Sequence, residues 1–185
     1  RARDMGILLD FVPNHMGIEG SSTRWWQDVL ECGPYSPHAD LLDIDWRDHA
    51  LSDRPRVLVP ILDNQYGVVL EAGRFSIRFN PAAGTLTVNY EDLRFQLSPS
   101  SYADILAGAA REPGCVEEAR VTLEKLAADF RALPRGNDGP IPRAPRDELK
   151  RQLAAAAASE SLAGAIAHHL ASINGHASDP RSVDA

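Results

Sequence analysis

The runs Phe75-Ser76-Ile77-Arg78-Phe79, Leu86-Thr87-Val88-Asn89-Tyr90 and Leu93-Arg94-Phe95-Gln96-Leu97 alternate apolar and polar residues without a break. A strand turns successive side chains to opposite faces, so a period of two predicts a strand with one buried and one wet face. Asn80-Pro81-Ala82-Ala83-Gly84 separates the first two runs and Glu91-Asp92 the next two. Both separators are rich in turn-forming residues and short enough for hairpins. The stretch therefore predicts a three-stranded antiparallel meander.

N-terminal to it, residues 66–72 suit one or two helical turns ended by Gly73. Residues 56–62 (RVLVPIL) read as a further strand-like run. Residues 14–56 are rich in Asp, His, Pro, Gly and Trp and keep no period. They read as a long functional loop holding one short helix, residues 23–31, stopped by Gly33-Pro34. The opening run Met5-Gly6-Ile7-Leu8-Leu9-Asp10-Phe11-Val12 is apolar except for Asp10 and ends at Pro13. Such a run suits a strand buried on both faces, as in a parallel sheet, and it would need partner strands that this chain does not supply.

C-terminal to the meander the period lengthens. Val116, Leu123, Leu126, Phe130 and Leu133 lie 7, 3, 4 and 3 apart, one face of a helix. Residues 134–145 carry four prolines and two glycines and read as a linker. A further helix is expected from near Arg146 through the Ala-rich run 154–158. Leu162, Ile166, Leu170 and Ile173 continue one face, with Gly175 as the stop. The expected divisions are thus 1–15, a strand and loop; 16–100, a loop-rich subdomain with the meander; 101–133 and 146–178, helical parts joined by the linker; and 179–185, a tail. The fold class is α+β, with a small meander and antiparallel helices.

The 185 residues hold 19 Lys+Arg against 26 Asp+Glu, a formal net charge of −7. This acidic balance argues against nucleic acid or an anionic membrane surface as partner. No apolar run reaches the length of a membrane span. The start, Arg1-Ala2-Arg3-Asp4, has neither an initiator Met nor the pattern of a signal peptide, and the chain is expected to be a piece of a longer protein. Cys32 and Cys115 lack CxxC spacing, so a disulfide framework is not expected and a reducing cytoplasm fits.

Candidate chemistry gathers near the N-terminus. Asp10 stands near the end of the apolar run, with Asn14 and His15 four and five residues on. A carboxylate, an amide and an imidazole at a strand end can together hydrogen-bond a polyhydroxylated substrate. Spacing alone equally allows Asp10 and Asn14 simply to hold the loop through local backbone bonds. Trp25 and Trp26 sit side by side on the short helix and point about 100° apart, so they cannot share one core. Either one stacks on a sugar ring while the other anchors the core, or both pack. Asp40, Asp43, Asp45 and Asp48 match no ligand spacing and read as a solvated loop. His168-His169 lacks the i, i+4 spacing of a zinc helix. No metal and no cofactor is expected.

Asp10-Phe11-Val12-Pro13-Asn14-His15 resembles the first conserved region of the α-amylase superfamily of glycoside hydrolases. Further blocks in order are similar to those of maltooligosyltrehalose synthases. They are Trp25-Trp26-Gln27-Asp28-Val29-Leu30-Glu31-Cys32-Gly33-Pro34, Asp43-Ile44-Asp45-Trp46, residues 56–62, Tyr66-Gly67, Leu70-Glu71-Ala72-Gly73, residues 101–106 and Asp179-Pro180-Arg181-Ser182. Leu41-Leu42 departs from the aromatic residues expected before Asp43. The resemblance implies a portion of a (β/α)8-barrel enzyme: the end of the third barrel strand plus an inserted subdomain. The parent would turn the reducing-end α-1,4 bond of a maltooligosaccharide into an α,α-1,1 bond by intramolecular transglucosylation. Its nucleophile and acid/base lie in later regions, which this sequence lacks, so the chain alone would be inactive. His15, Asp10, Asn14, Trp25 and Trp26 are the implied substrate-binding residues. The partners implied are the oligosaccharide and the remainder of the polypeptide. A non-catalytic carbohydrate-binding module, or part of another hydrolase of the superfamily, is the alternative.

Overall fold

In the computed structural model, residues 23–46, 57–135 and 139–174 are described. The chain is mixed α and β. Its elements in order are α1 (Arg24–Cys32), two 3-10 turns (Gly33–Tyr35 and Ala39–Leu41), α2 (Tyr66–Glu71), β1 (Phe75–Asn80), β2 (Thr85–Tyr90), β3 (Leu93–Gln96), α3 (Pro99–Ala110), α4 (Glu117–Arg131), α5 (Arg143–Ala156) and α6 (Glu160–Ile173).

The meander forms as the alternation predicts. β2 is central and antiparallel to both neighbours, pairing Phe75 with Tyr90, Ile77 with Val88 and Phe79 with Leu86, then Val88 with Phe95. The register gathers these apolar residues on one face and leaves Ser76, Arg78, Thr87, Asn89, Arg94 and Gln96 on the other. Gly84 has a φ of 60° and lies so close to α5 that a Cβ there would stand 2.0 Å from the Lys150 carbonyl oxygen. Glycine is needed at that turn on both counts.

Both edges of the sheet are closed by a side-chain amide. On β1, Asn174 Oδ1 accepts from the Ile77 N–H at 2.6 Å and Asn174 Nδ2 donates to the Ile77 carbonyl at 3.0 Å. On β3, Gln27 Nε2 donates to the Arg94 carbonyl at 2.9 Å and its Oε1 accepts from the Gln96 N–H at 3.1 Å. Each amide supplies the donor and acceptor that another strand would, and so removes the template that an open edge offers.

The main core lies between the apolar sheet face and the helices. Leu86, Tyr102, Leu106, Leu123, Phe130, Leu153, Leu162 and Ile166 are fully buried in it. Tyr102 stacks tilted on Phe130 with ring centres 5.0 Å apart, and its hydroxyl accepts the Leu86 N–H at 2.9 Å. Tyr102 in the first half of α3 packs on Phe130 at the end of α4, and Arg131 pairs with Asp104 at the middle of α3, so these two helices run antiparallel.

Three expectations change. Residues 57–62 pair with no strand among the described residues; Leu58 is exposed and Pro60 has no N–H to give a ladder. The segment is held instead by Asp63, which accepts from Tyr90 Oη at 2.8 Å and takes a forked pair from Arg74. The Ala-rich run does not carry one helix onward: α5 ends at Ala156 and α6 begins at Glu160, with Ser159 between them. Ala favours helix but specifies no direction, and the buried stripes of the two helices each need their own line to the core. Val116 and Ile173 are half exposed, outside the stripes assigned to them, because each lies at or beyond a helix end.

Candidate functional site

Helix α1 carries the described part of the predicted site. Trp26, Val29 and Cys32, three residues apart, form its buried face. Trp26 is 3% exposed, whereas Trp25, the next residue, is 48% exposed. The 100° step between neighbours on a helix separates them, as expected. The exposed Trp25 ring faces the His38 imidazole with ring centres 5.9 Å apart and planes tilted by 31°. Trp26 is thus a core anchor and Trp25 an accessible aromatic surface. No acceptor among the described residues reaches Trp26 Nε1. Asp10, Asn14 and His15 lie outside the described residues, as does Asp48. Asp40, Asp43 and Asp45 are exposed, as a solvated loop requires.

Two features the sequence did not announce fix α1 in place. One is the Gln27 clamp on β3. The other is a buried ionic network with α5. Arg146, Leu149 and Leu153 follow one another at i, i+3 and i+7, so Arg146 sits on the buried stripe of α5. Its side chain is 7% exposed. Nη1 lies 3.1 Å from Asp28 Oδ1 and 3.2 Å from Glu31 Oε2, and Nε donates to Asp147 Oδ1 at 2.9 Å. Lys150 completes the neutralisation of Glu31. Ser36 Oγ donates to Asp28 Oδ2 at 2.6 Å and accepts the His38 N–H at 3.1 Å, which ties the loop bearing His38 to the same carboxylate. The network therefore sets the position of the Trp25–His38 pair.

Burial pushes the Asp28 carboxyl up, but the Ser36 hydroxyl and the Arg146 guanidinium outweigh it and hold the group below its ordinary value. Burial pushes the Cys32 thiol up, helped by Asp28, and Arg146 only partly offsets this. Cys32 is accordingly a protonated packing group rather than a nucleophile. Asp28, Glu31 and Cys32 place potential ligand atoms within 4.8 Å of one another. The guanidinium of Arg146 and the ammonium of Lys150 already supply the cationic charge there. Both cysteines are free.

His168 and His169 share one carboxylate: Glu112 Oε2 lies 2.6 Å from His168 Nδ1 and Oε1 lies 2.8 Å from His169 Nδ1. Bonds from His169 and then His168 hold Glu112 below the ordinary Glu value. The trio fastens α6 to the turn after α3, which is a structural use of the pair. Gly108 makes it possible, since a Cβ there would meet the His169 ring at 2.0 Å. No described helix is long and apolar enough to cross a membrane.

With this geometry in view, the comparisons with known proteins point one way. The chain is 33% identical over 93 residues, 45% of its length, to a protein of Mycobacterium tuberculosis strain CDC 1551 described as "Putative maltooligosyl trehalose synthase". The protein of the same description from strain H37Rv matches equally. The match takes in 12% of these relatives, so the chain spans a small part of their length. No family model matches the chain. No solved structure matches it.

Proposed function

We propose that the chain is part of a maltooligosyltrehalose synthase of the α-amylase superfamily and forms a rim of its substrate pocket. The carrying observation is the 33% identity over 93 residues to proteins of that description, together with the ordered sequence blocks from Asp10 to Ser182. In this reading residues 1–15 end a barrel strand, residues 16–100 are an inserted subdomain, and the helices beyond pack behind it. The parent enzyme breaks the reducing-end α-1,4 bond, holds the freed glucose, and lets its anomeric hydroxyl attack the glycosyl intermediate to make the α,α-1,1 bond. This is retaining glycosidase chemistry with a sugar hydroxyl in place of water. The carboxylates that perform it belong to later regions of the polypeptide. Water must be excluded during the turnover of the freed glucose, and a rim fixed by buried ion pairs and two strand-edge clamps suits that task.

His15 hydrogen-bonds the sugar at the cleavage position, Asp10 braces the strand end and Asn14 fixes the loop. Trp25 offers its exposed ring to a glucosyl unit, and Trp26 anchors the helix beneath it. Two free thiols suit a reducing compartment. The test is His15→Ala in the full polypeptide that carries this chain, assayed with maltopentaose. Trehalosyl product should fall by about 100-fold or more, the loss expected when a transition-state hydrogen bond is removed. Unchanged turnover would remove His15 from the site. A non-catalytic glycan-binding module is the second reading, favoured by the exposed Trp25 beside His38. It requires maltopentaose to bind the full polypeptide without being converted.

A further inference from the structure

Ser36 is a buried polar residue in the loop after α1, and its backbone and hydroxyl are both fully engaged. Its N–H donates to the Gly33 carbonyl at 3.1 Å, and its carbonyl accepts the Ala39 N–H at 3.0 Å. Its hydroxyl donates to Asp28 Oδ2 at 2.6 Å and accepts the His38 N–H at 3.1 Å. Pro37, between Ser36 and His38, has a fixed φ and no N–H, which stiffens the step from one to the other. Asp28 is itself held by Arg146 at 3.1 Å.

Asp28 stands three residues beyond Trp25, so the two are neighbours on one face of α1. A loop moored at Asp28 returns over Trp25, and His38 arrives with its ring centre 5.9 Å from that of the indole and the planes 31° apart. The buried bridge thus fixes the imidazole against the indole before any ligand is present. Trp25 stays half exposed, and neither ring nitrogen of His38 bonds another described residue. A neutral imidazole offers one donor and one acceptor. Beside an open aromatic surface, that pair of groups suits a ligand with an apolar C–H face and a rim of hydroxyls, each able to give and take. A phosphate has no such face. A hydrocarbon would leave both nitrogens unmatched.

We propose that His38 is a specificity-determining contact of the sugar site and that Ser36 is its positioning residue. A glucosyl unit stacks on the open part of the Trp25 indole while one of its hydroxyls bonds the imidazole, which the Asp28–Ser36 bridge holds in place. The ligand is taken from the synthase reading above. Maltopentaose is titrated by calorimetry into the full polypeptide that carries this chain, and trehalosyl product is measured on the same samples. H38F keeps a ring against Trp25 but no hydrogen-bonding group, and should weaken Kd by about three- to tenfold, the loss of one neutral hydrogen bond. H38Q, which can still give and take, should stay within about twofold of wild type. These two variants leave the buried bridge untouched. S36A should weaken Kd by about threefold alone and add nothing further in the H38F background, because it acts through the imidazole. A wild-type Kd for H38F, or equal losses for H38F and H38Q, would remove His38 from the site. An S36A effect that adds in full to that of H38F would remove the positioning role. Wild-type product formation together with unaltered binding by H38F refutes this inference alone. Absence of product from the wild type refutes the synthase reading, and the comparison of Kd values still decides the role of His38. Absence of maltopentaose binding by the wild type overturns both.

Discussion

Replacing Arg146 with Met removes one cation from beneath α1 and leaves Asp28 and Glu31 facing each other across a buried gap. Arg146 Nη1 now serves both carboxylates, at 3.1 and 3.2 Å, with all three side chains no more than 12% exposed. Lys150 can still neutralise Glu31 and Ser36 can still donate to Asp28, but no full charge remains beside Asp28 except the distant Arg143, 3.7 Å away and largely exposed. Breaking a buried pair from one side costs about 3–5 kcal/mol, because the surviving charge stays desolvated. Domains of this size are stable by about 5–15 kcal/mol, so the loss is a large share of the total. With a urea slope of about 2 kcal/mol/M, the unfolding midpoint should fall by roughly 1.5–2.5 M. The double variant D28N/R146M should recover at least half of that, since it removes the stranded Asp28 charge and leaves Glu31 paired with Lys150. Acid adds a second check. The folded-state value of Asp28 lies below its ordinary 3.8, so its contribution is complete above that pH and is lost as the pH falls through the folded value. Wild type should therefore lose stability more steeply below pH 3.8 than R146M does. A midpoint change under about 0.5 M for R146M, with an unchanged slope, would refute the reasoning that this network holds α1.

Other outcomes follow from single contacts. Asn174→Ala should cost about 1–3 kcal/mol, two hydrogen bonds' worth, and speed hydrogen exchange at the Ile77 amide, read by NMR. Gly84→Ala should destabilise by more than the about 1–3 kcal/mol of left-handed strain, because its methyl would also strike the Lys150 carbonyl; thermal unfolding measures this. Trp26→Ala should cost about 3–5 kcal/mol as a core truncation, whereas Trp25→Ala should shift stability by less than about 0.5 kcal/mol and instead weaken maltopentaose binding to the full polypeptide; parallel denaturation and calorimetry separate the two.

The elements whose period is local were legible in the sequence. The meander follows from strict alternation at residues 75–97, and its turns from Asn80 to Gly84 and from Glu91-Asp92. α1 stops at Gly33 as its Gly-Pro signal requires, with Gly33 at a φ of 60°. The opposite exposures of Trp25 and Trp26 follow from helix geometry alone. What was not legible depends on partners far away in sequence. Arg146 marks only a helix start until α1, more than a hundred residues earlier, packs onto it and turns it into a buried counter-ion. Gln27 and Asn174 are ordinary polar residues until a strand edge lies alongside them. Residues 57–62 have strand composition but no ladder, since composition cannot supply a neighbouring strand. Of the candidate site, the described residues reveal the accessible Trp25 and add His38, while Asp10, Asn14 and His15 lie outside them.

The central claim is that this chain shapes the pocket while other polypeptide makes and breaks the sugar bond. Maltopentaose should be incubated separately with the 185-residue chain and with the full polypeptide that carries it, and the loss of reducing ends measured. The account predicts a non-reducing trehalosyl product from the full polypeptide and none from the chain. Product from the chain alone, or none from the full polypeptide, would contradict it.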